Sequence, residues 1–242
     1  RGLLDAAYSK ILALAEKSVE KSAVNLGCAI SSVVAQTIAI NSREKERAGV
    51  KTGIKSLDAV LNLIEPAEFF IVAARPSIGK TTLATNICIN VAKNIGPVLF
   101  SSLEMAERQL AQRILSAESG VLLHRIVSGY LSTQDVAALK IAESRLAHVP
   151  LVIDDKPGQS VMDIRLRARQ MQSQSGLHML CVDYLQLVRS GQRFTSEYDE
   201  ISSVSRGLKA VSKDLSIPVL CIAQLNRSNE RENRRPNMSD LR

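Results

Sequence analysis

The chain has 242 residues, 45% of them apolar, which suffices for one sizeable core and excludes a chain that is disordered by composition. A formal net charge of +7 suits a polyanionic partner, while 3% aromatic content with no Trp argues against a nucleic-acid strand held mainly by stacking; phosphates would be the handle. Cys28, Cys88, Cys181 and Cys221 form no CxxC pair, so neither a zinc site nor a disulfide framework is signalled, and a reducing cytoplasm fits best; no apolar stretch approaches membrane-spanning length.

From Gly2 to Lys17, Leu3, Leu4, Ala7, Ile11, Leu14 and Ala15 recur at helical spacing and predict an amphipathic helix with one apolar stripe in need of a partner. A second helix is predicted from Ala23 to Ile40. The charged run from Asn41 to Arg47, followed by Gly49, reads as its polar end and a linker. The expected division is therefore a helical linker region over 1–49 and a domain over 50–242. The start at Arg1 and the absence of a signal-peptide pattern suggest a piece of a longer intracellular protein.

Beyond Gly53, apolar runs of strand length alternate with helical patterns. Strands are predicted at Glu68–Ala74, Pro97–Ser101, Leu151–Asp154, His178–Asp183 and Ile217–Ala223, and helices near 80–93, 106–119, 132–147, 160–174 and 199–214. Continuous rather than alternating apolar strands imply burial on both faces. The alternation with helices implies right-handed crossovers, hence an α/β fold with a mostly parallel sheet flanked by helices.

Between the first strand and its helix lies Ala74-Arg-Pro-Ser-Ile-Gly-Lys-Thr-Thr82, a P-loop match in the strand–loop–helix context that gives such a match meaning. Backbone N–H groups from Arg75, Pro76's neighbours, Ser77, Ile78 and Gly79, with the helix start at Lys80, Thr81 and Thr82, would cradle phosphates of ATP. Lys80 would reach the β- and γ-phosphates and the Thr81 hydroxyl would sit on Mg2+. Ala74 stands where Gly is usual, a harmless change if the backbone there stays extended. His178-Met-Leu-Cys-Val-Asp183 is an apolar strand ending in a carboxylate, so Asp183 can hold a magnesium-bound water at the same sheet edge.

Glu104 and Gln224 also terminate apolar strands. Ligands of open α/β sheets bind outside the carboxyl ends of the strands, so Lys80, Glu104, Asp183 and Gln224 should converge there. Glu104 is then a candidate general base and Gln224 a candidate γ-phosphate sensor, although either residue taken alone reads equally as a cap or turn. Asp154 and Asp155 read as helix-entry residues ahead of the Lys156-Pro157-Gly158 turn. The polar stretch from Gln224 to Arg242 carries Arg227, Arg231, Arg234, Arg235 and Arg242. It could touch a nucleic-acid backbone, though composition alone favours a solvated tail.

Five motifs in order resemble those of the DnaB-type replicative helicases: Ala73-Ala-Arg-Pro-Ser-Ile-Gly-Lys-Thr81, Ser102-Leu-Glu-Met105, Val182-Asp-Tyr-Leu-Gln-Leu187, Ala223-Gln-Leu-Asn-Arg-Ser228 and Arg235-Pro-Asn-Met-Ser-Asp-Leu-Arg242. The resemblance covers Val50 to Arg242 and implies a RecA-like ATPase core in a homo-hexameric ring that encircles single-stranded DNA, hydrolyses ATP between subunits and moves 5′ to 3′. It assigns Glu104 as base, Gln224 as γ-phosphate sensor, Thr81 and Asp183 to the metal, and Arg242, with Arg227 nearby, to DNA. It also implies that the loop from Arg189 to Tyr198 lines the channel, that the linker helix docks on the adjacent protomer, and that a primase and a helicase loader are partners. Matched to that family, the sequence reaches Arg242 before the rest of the DNA-binding loop and the arginine finger, so weak hydrolysis is expected of this piece alone. Other readings are a recombinase-type RecA-like ATPase, a non-catalytic nucleotide-binding replication module and a small-molecule P-loop kinase.

Overall fold

A computed structural model describes residues 24–43, 48–191, 194 and 196–225. It divides into two compact units, Arg1–Ala48 and Gly49–Arg242. In the first unit, α1 (Leu26–Asn41) is capped by Asn25, whose side chain accepts from the Gly27 N–H at 2.9 Å. No residue of α1 is buried, and Leu26, Ile30, Val34 and Ile38 recur every fourth position as an exposed apolar stripe. The helix expected over residues 2–17 lies outside the described residues.

The second unit is an α/β domain built on a five-stranded parallel sheet. Its strands are β1 (Phe69–Ala74), β2 (Val98–Ser102), β3 (Leu151–Asp154), β4 (Met179–Asp183) and β5 (Val219–Gln224), in spatial order β1-β5-β4-β2-β3. All five coincide with the predicted strands to within two residues. Every residue of β2 and β4 is buried, as continuous apolar runs require of central parallel strands.

The helices are α2 (Lys55–Leu61), α3 (Lys80–Asn94), α4 (Glu107–Ser119), α5 (Leu123–Ser128), α6 (Thr133–Leu146), α7 (Val161–Ser175) and α8 (Glu197–Leu215). Alternation along the strands sends Val98, Phe100, Met179, Cys181, Leu220 and Ile222 to one face, where they meet Ala84, Ile87, Cys88 and Val91 of α3 and Leu110 and Ile114 of α4. Leu99, Leu180, Val182, Val219 and Cys221 point the other way, onto Ile164 and Ala168 of α7 and Val204, Leu208 and Val211 of α8. Phe100, fully buried at the centre of the first cluster, contributes ~2–3 kcal/mol relative to exposure. α3 touches all five strands, so its first turn is carried to the carboxyl edge of the sheet.

Two helices were not predicted, α2 and α5, at 7 and 6 residues too short to display a 3.6-residue period. A carboxylate organises the approach to α2. Asp58 Oδ1 accepts from the Thr52 N–H at 2.8 Å and the Thr52 hydroxyl at 2.6 Å, and its Oδ2 accepts from the Gly53 N–H at 3.1 Å. The Thr52 carbonyl in turn accepts from Asn90 Nδ2 on α3 at 2.9 Å. Gly53, at φ +76°, lies so close to Asn90 that a Cβ would come within 2.5 Å of it. Among the described residues no helix is long and apolar enough to cross a membrane. Replacing Asp58 with Ala strands three donors, two of them on the buried Thr52, and should cost ~2–3 kcal/mol. Chemical denaturation of the wild type and Asp58→Ala would show this as a lower midpoint with an unchanged slope.

Candidate active site

β1 ends at Ala74, which stays extended and pairs with Gln224. The missing glycine is therefore tolerated for the conformational reason the sequence suggested. The chain then turns through Ser77 at φ +63° and Gly79 at φ +99° before entering α3 at Lys80. A Cβ on Gly79 would meet nothing within 4 Å, so glycine is needed there for its backbone conformation and not for space. The first turn of α3 holds no acidic residue, which keeps its amide terminus electropositive.

Lys80 is buried, with Nζ 5.3 Å from the centroid of the Tyr184 ring, a cation–π approach. Thr81 Oγ1 donates to Asp183 Oδ2 at 2.7 Å across 102 residues of sequence. Thr85 donates its hydroxyl back to the Thr81 carbonyl and so braces the same turn. The alternation that aims Met179 and Cys181 at α3 also aims Asp183 there, and in β5 the same rule applied to Leu220 and Ile222 places Gln224 on the P-loop side.

Asp183 has no solvent exposure. Burial is the main cause that pushes its carboxyl above the usual carboxylate range. The Glu104 charge adds to the rise, while the Thr81 hydroxyl, then Lys80 and Arg113, oppose it. Burial, Glu104 and Asp183 likewise raise the Tyr184 phenol. Glu104 is exposed and sits in the bend just after β2, close enough for its charge to act on both groups. That bend is held by the Leu103 N–H donating to the Asp183 carbonyl at 2.8 Å and the Ser102 hydroxyl donating to the Met105 carbonyl at 2.6 Å.

The second carboxylate oxygen, Asp183 Oδ1, is buried with no hydrogen-bond partner. A buried carboxylate that holds a helix-start hydroxyl with one oxygen and leaves the other unpartnered fits the magnesium-and-water chemistry expected of Thr81 and Asp183. Among the described residues no three His, Cys, Asp or Glu side chains gather into an all-protein metal cage. A metal held here would draw most of its ligands from phosphate and water.

Lys80, Thr81, Asp183, Glu104 and Gln224 thus share one sheet edge, with Arg75, Pro76, Ser77, Ile78, Gly79 and Thr82 forming the loop and helix start beside them. Arg227 and Arg242 lie outside the described residues, as does part of the stretch from Arg189 to Tyr198. Arg189 itself packs its guanidinium against Gly158. Asp155 does not enter its own following helix as expected. Its Oδ2 accepts from the Glu107 N–H at 2.8 Å and caps α4, while α7 is capped by Ser160 and Asp163. Arg113, Tyr184 and Gln186 were not singled out from sequence. Gln186 Nε2 donates to the Gln224 carbonyl at 2.9 Å, and its Oε1 accepts from the Gln224 N–H at 3.2 Å.

The model of the DnaB-like helicase C-terminal domain family matches residues 49–242. The chain is 37% identical over 243 residues to the replicative DNA helicase DnaB of Geobacillus stearothermophilus, covering 99% of this chain and 54% of that protein. It is 35% identical over 243 residues to the replicative DNA helicase DnaC of Bacillus subtilis strain 168, again covering 99% and 54%. It therefore spans about half the length of the curated relatives it matches. A solved structure described as an ATPase domain superposes with a TM-score of 0.81 at 30% identity, over 88% of this chain and 76% of that one. A DnaB-like replicative helicase, solved in a study of its interactions with primase, superposes with a TM-score of 0.79 at 28% identity, over 96% and 57%. The parallel sheet flanked by helices is thus the RecA-like ATPase fold of these neighbours.

Because the folded Asp183 carboxyl titrates above its unfolded value, the folded state binds the extra proton, and stability falls as pH rises from the unfolded value through the folded one. Above that window the ionised group destabilises the fold. Asp183→Asn keeps an acceptor for Thr81 and removes the charge, so at neutral pH it should raise Tm by a few degrees while abolishing magnesium-dependent nucleotide binding. Thermal melts and titrations of a fluorescent ATP analogue with and without Mg2+ would check both effects.

Proposed function

Since the chain belongs to the DnaB-like helicase C-terminal domain family, we propose that it is the ATP-driven motor of a replicative DNA helicase, coupling hydrolysis between subunits to 5′–3′ movement on single-stranded DNA in the cytoplasm. The observation that carries this reading is the 2.7 Å Thr81–Asp183 hydrogen bond beside an unpartnered carboxylate oxygen. It joins the helix that begins at a P-loop to the end of a central strand, the placement a nucleotide's terminal phosphates require.

In this reading the Arg75–Gly79 loop and the start of α3 bind the phosphates through backbone amides, and Lys80 leaves the Tyr184 ring to meet the β- and γ-oxygens. Thr81 and Asp183 hold Mg2+, which when bound would neutralise phosphate charge. Glu104 accepts the proton of the attacking water, and Gln224 senses the γ-phosphate. Arg227 and Arg242 contact the DNA backbone. We read these 242 residues alone as a slow hydrolase, because in related NTPases an arginine supplied across a subunit interface carries a large share of the rate. A recombinase-type ATPase would share the nucleotide residues, and no observation favours it.

The assembly is read as a homo-hexamer that also meets primase and a helicase loader. One feature of the second unit supports subunit contact through the linker region. An apolar cleft of about 750 Å3, lined among others by Ile114, Leu115, Leu131, Val136, Leu139 and Leu146, opens between α4, α6 and the β3 edge. Its chemistry matches the apolar stripes of residues 3–15 and of α1, offered by a neighbouring copy.

In the full-length protein, Lys80→Ala should lower ATP turnover by ~100-fold or more and abolish stimulation by single-stranded DNA. Turnover indifferent to both the substitution and the DNA would remove the motor reading. Val136 is 46% exposed, so Val136→Glu should leave folding intact while reducing the hexamer fraction seen by native mass spectrometry. An unchanged hexamer would rule out the cleft as the linker's seat.

A further inference from the structure

Where β4 and β5 run side by side, their backbone pairing ends at Val182 and Cys221, whereas β5 continues to Gln224 with only β1 beside it. The side of Gln224 that faces β4 is occupied by one side chain. Gln186, in the 3-10 turn Leu185–Leu187 that follows the Asp183 strand, presents its carboxamide to the Gln224 backbone and makes the two bonds described above, across 38 residues of sequence. A carboxamide has the donor and acceptor of a peptide group, so Gln186 stands in for the missing strand. On the other side, the Leu225 N–H donates to the Ala74 carbonyl at 3.2 Å, where the phosphate loop begins. The Gln224 backbone is therefore fixed between the P-loop and the turn that carries Tyr184, whose ring lies under Lys80.

We propose that Gln186 is a positioning residue that sets the Gln224 backbone, and so links the state of the phosphate site to the arginine-bearing segment from Arg227 to Arg242. It acts through Gln224 and touches neither nucleotide nor DNA. The inference rests on the motor reading above. Two features make Gln186 suited to the task. Its bonds go to backbone, so they fix the direction of the Gln224 side chain whatever that side chain touches. They also arise from the turn directly after Asp183, so displacement of that turn is passed to the end of β5 without crossing the core.

The test uses the full-length oligomer with Gln186→Met, which keeps volume and loses both bonds, and Gln186→Glu, which keeps the acceptor for the Gln224 N–H and sets an oxygen against its carbonyl. The readouts are the KM for ATP and the ratio of DNA-stimulated to unstimulated turnover, a ratio that cancels any loss of active protein. With two hydrogen bonds gone, the stimulation ratio should fall ~10-fold or towards one, with KM held within about twofold. Gln186→Glu should resemble Gln186→Met, and should supply the result if the Met variant does not fold. Ratios equal to wild type in both variants would reduce Gln186 to packing and overturn the proposal. So would a KM that rises in step with the loss of stimulation, because that marks general damage to the nucleotide site. A separate arm protects the distinction from the motor reading: wild-type turnover insensitive to Lys80→Ala sinks that reading itself, whatever the Gln186 variants do.

Discussion

The site depends on one helix lying across five parallel strands. Because α3 touches every strand, its first turn is held at the carboxyl edge, and the strand-end residues of β4 and β5 can reach it only from the face their alternation assigns them. Asp183 and Gln224 both occupy α3-facing positions, and a shift of either strand by one residue would turn its polar residue to the α7 and α8 side. The apolar pattern that fills the core therefore also fixes which polar groups meet. The Thr81–Asp183 hydrogen bond is where that requirement can be measured.

What the sheet gathers is electrostatically unfavourable by itself. A carboxylate without solvent exposure stands near a second one, Glu104, and is relieved only partly by Lys80, Arg113 and a threonine hydroxyl. Such strain belongs to binding sites, where the missing compensation arrives with the ligand. Lys80 directs its charge at an aromatic ring whose attraction is modest, ~0.5–2 kcal/mol, so a phosphate group can displace the ring readily.

Much of this was legible because local pattern and global fold agree. Continuous apolar runs marked all five strands, and the P-loop signature stood in the strand–helix context that gives it meaning. Its Ala in place of Gly meets no backbone strain, since Ala74 completes a strand and the left-handed positions fall at Ser77 and Gly79. The unread parts are those that need register or helix phase. Asp155 caps a helix 48 positions earlier in the chain, which no local rule could show. Arg113 reaches the Asp183 field only because α4 presents that face. Gln186 pairs with Gln224 because the β4–β5 ladder stops where it does. Short α2 and α5 carry too few turns for periodicity to show.

That last pairing bears on how such a fold can be both rigid and responsive. A continuous backbone ladder fixes neighbouring strands along their whole length, each hydrogen bond braced by the next. The end of β5 is instead fastened to β1 by backbone and to the turn after β4 by one carboxamide, whose two hydrogen bonds contribute ~1 kcal/mol each. A phosphate group adds charge-assisted interactions about twice as strong as neutral ones, so its arrival or departure is large enough to remake a contact of that size. It is small against the buried strands beside it. The division of labour follows from the magnitudes: apolar burial holds α3 on the sheet, and polar contacts at the strand ends are the part of the structure a nucleotide can move.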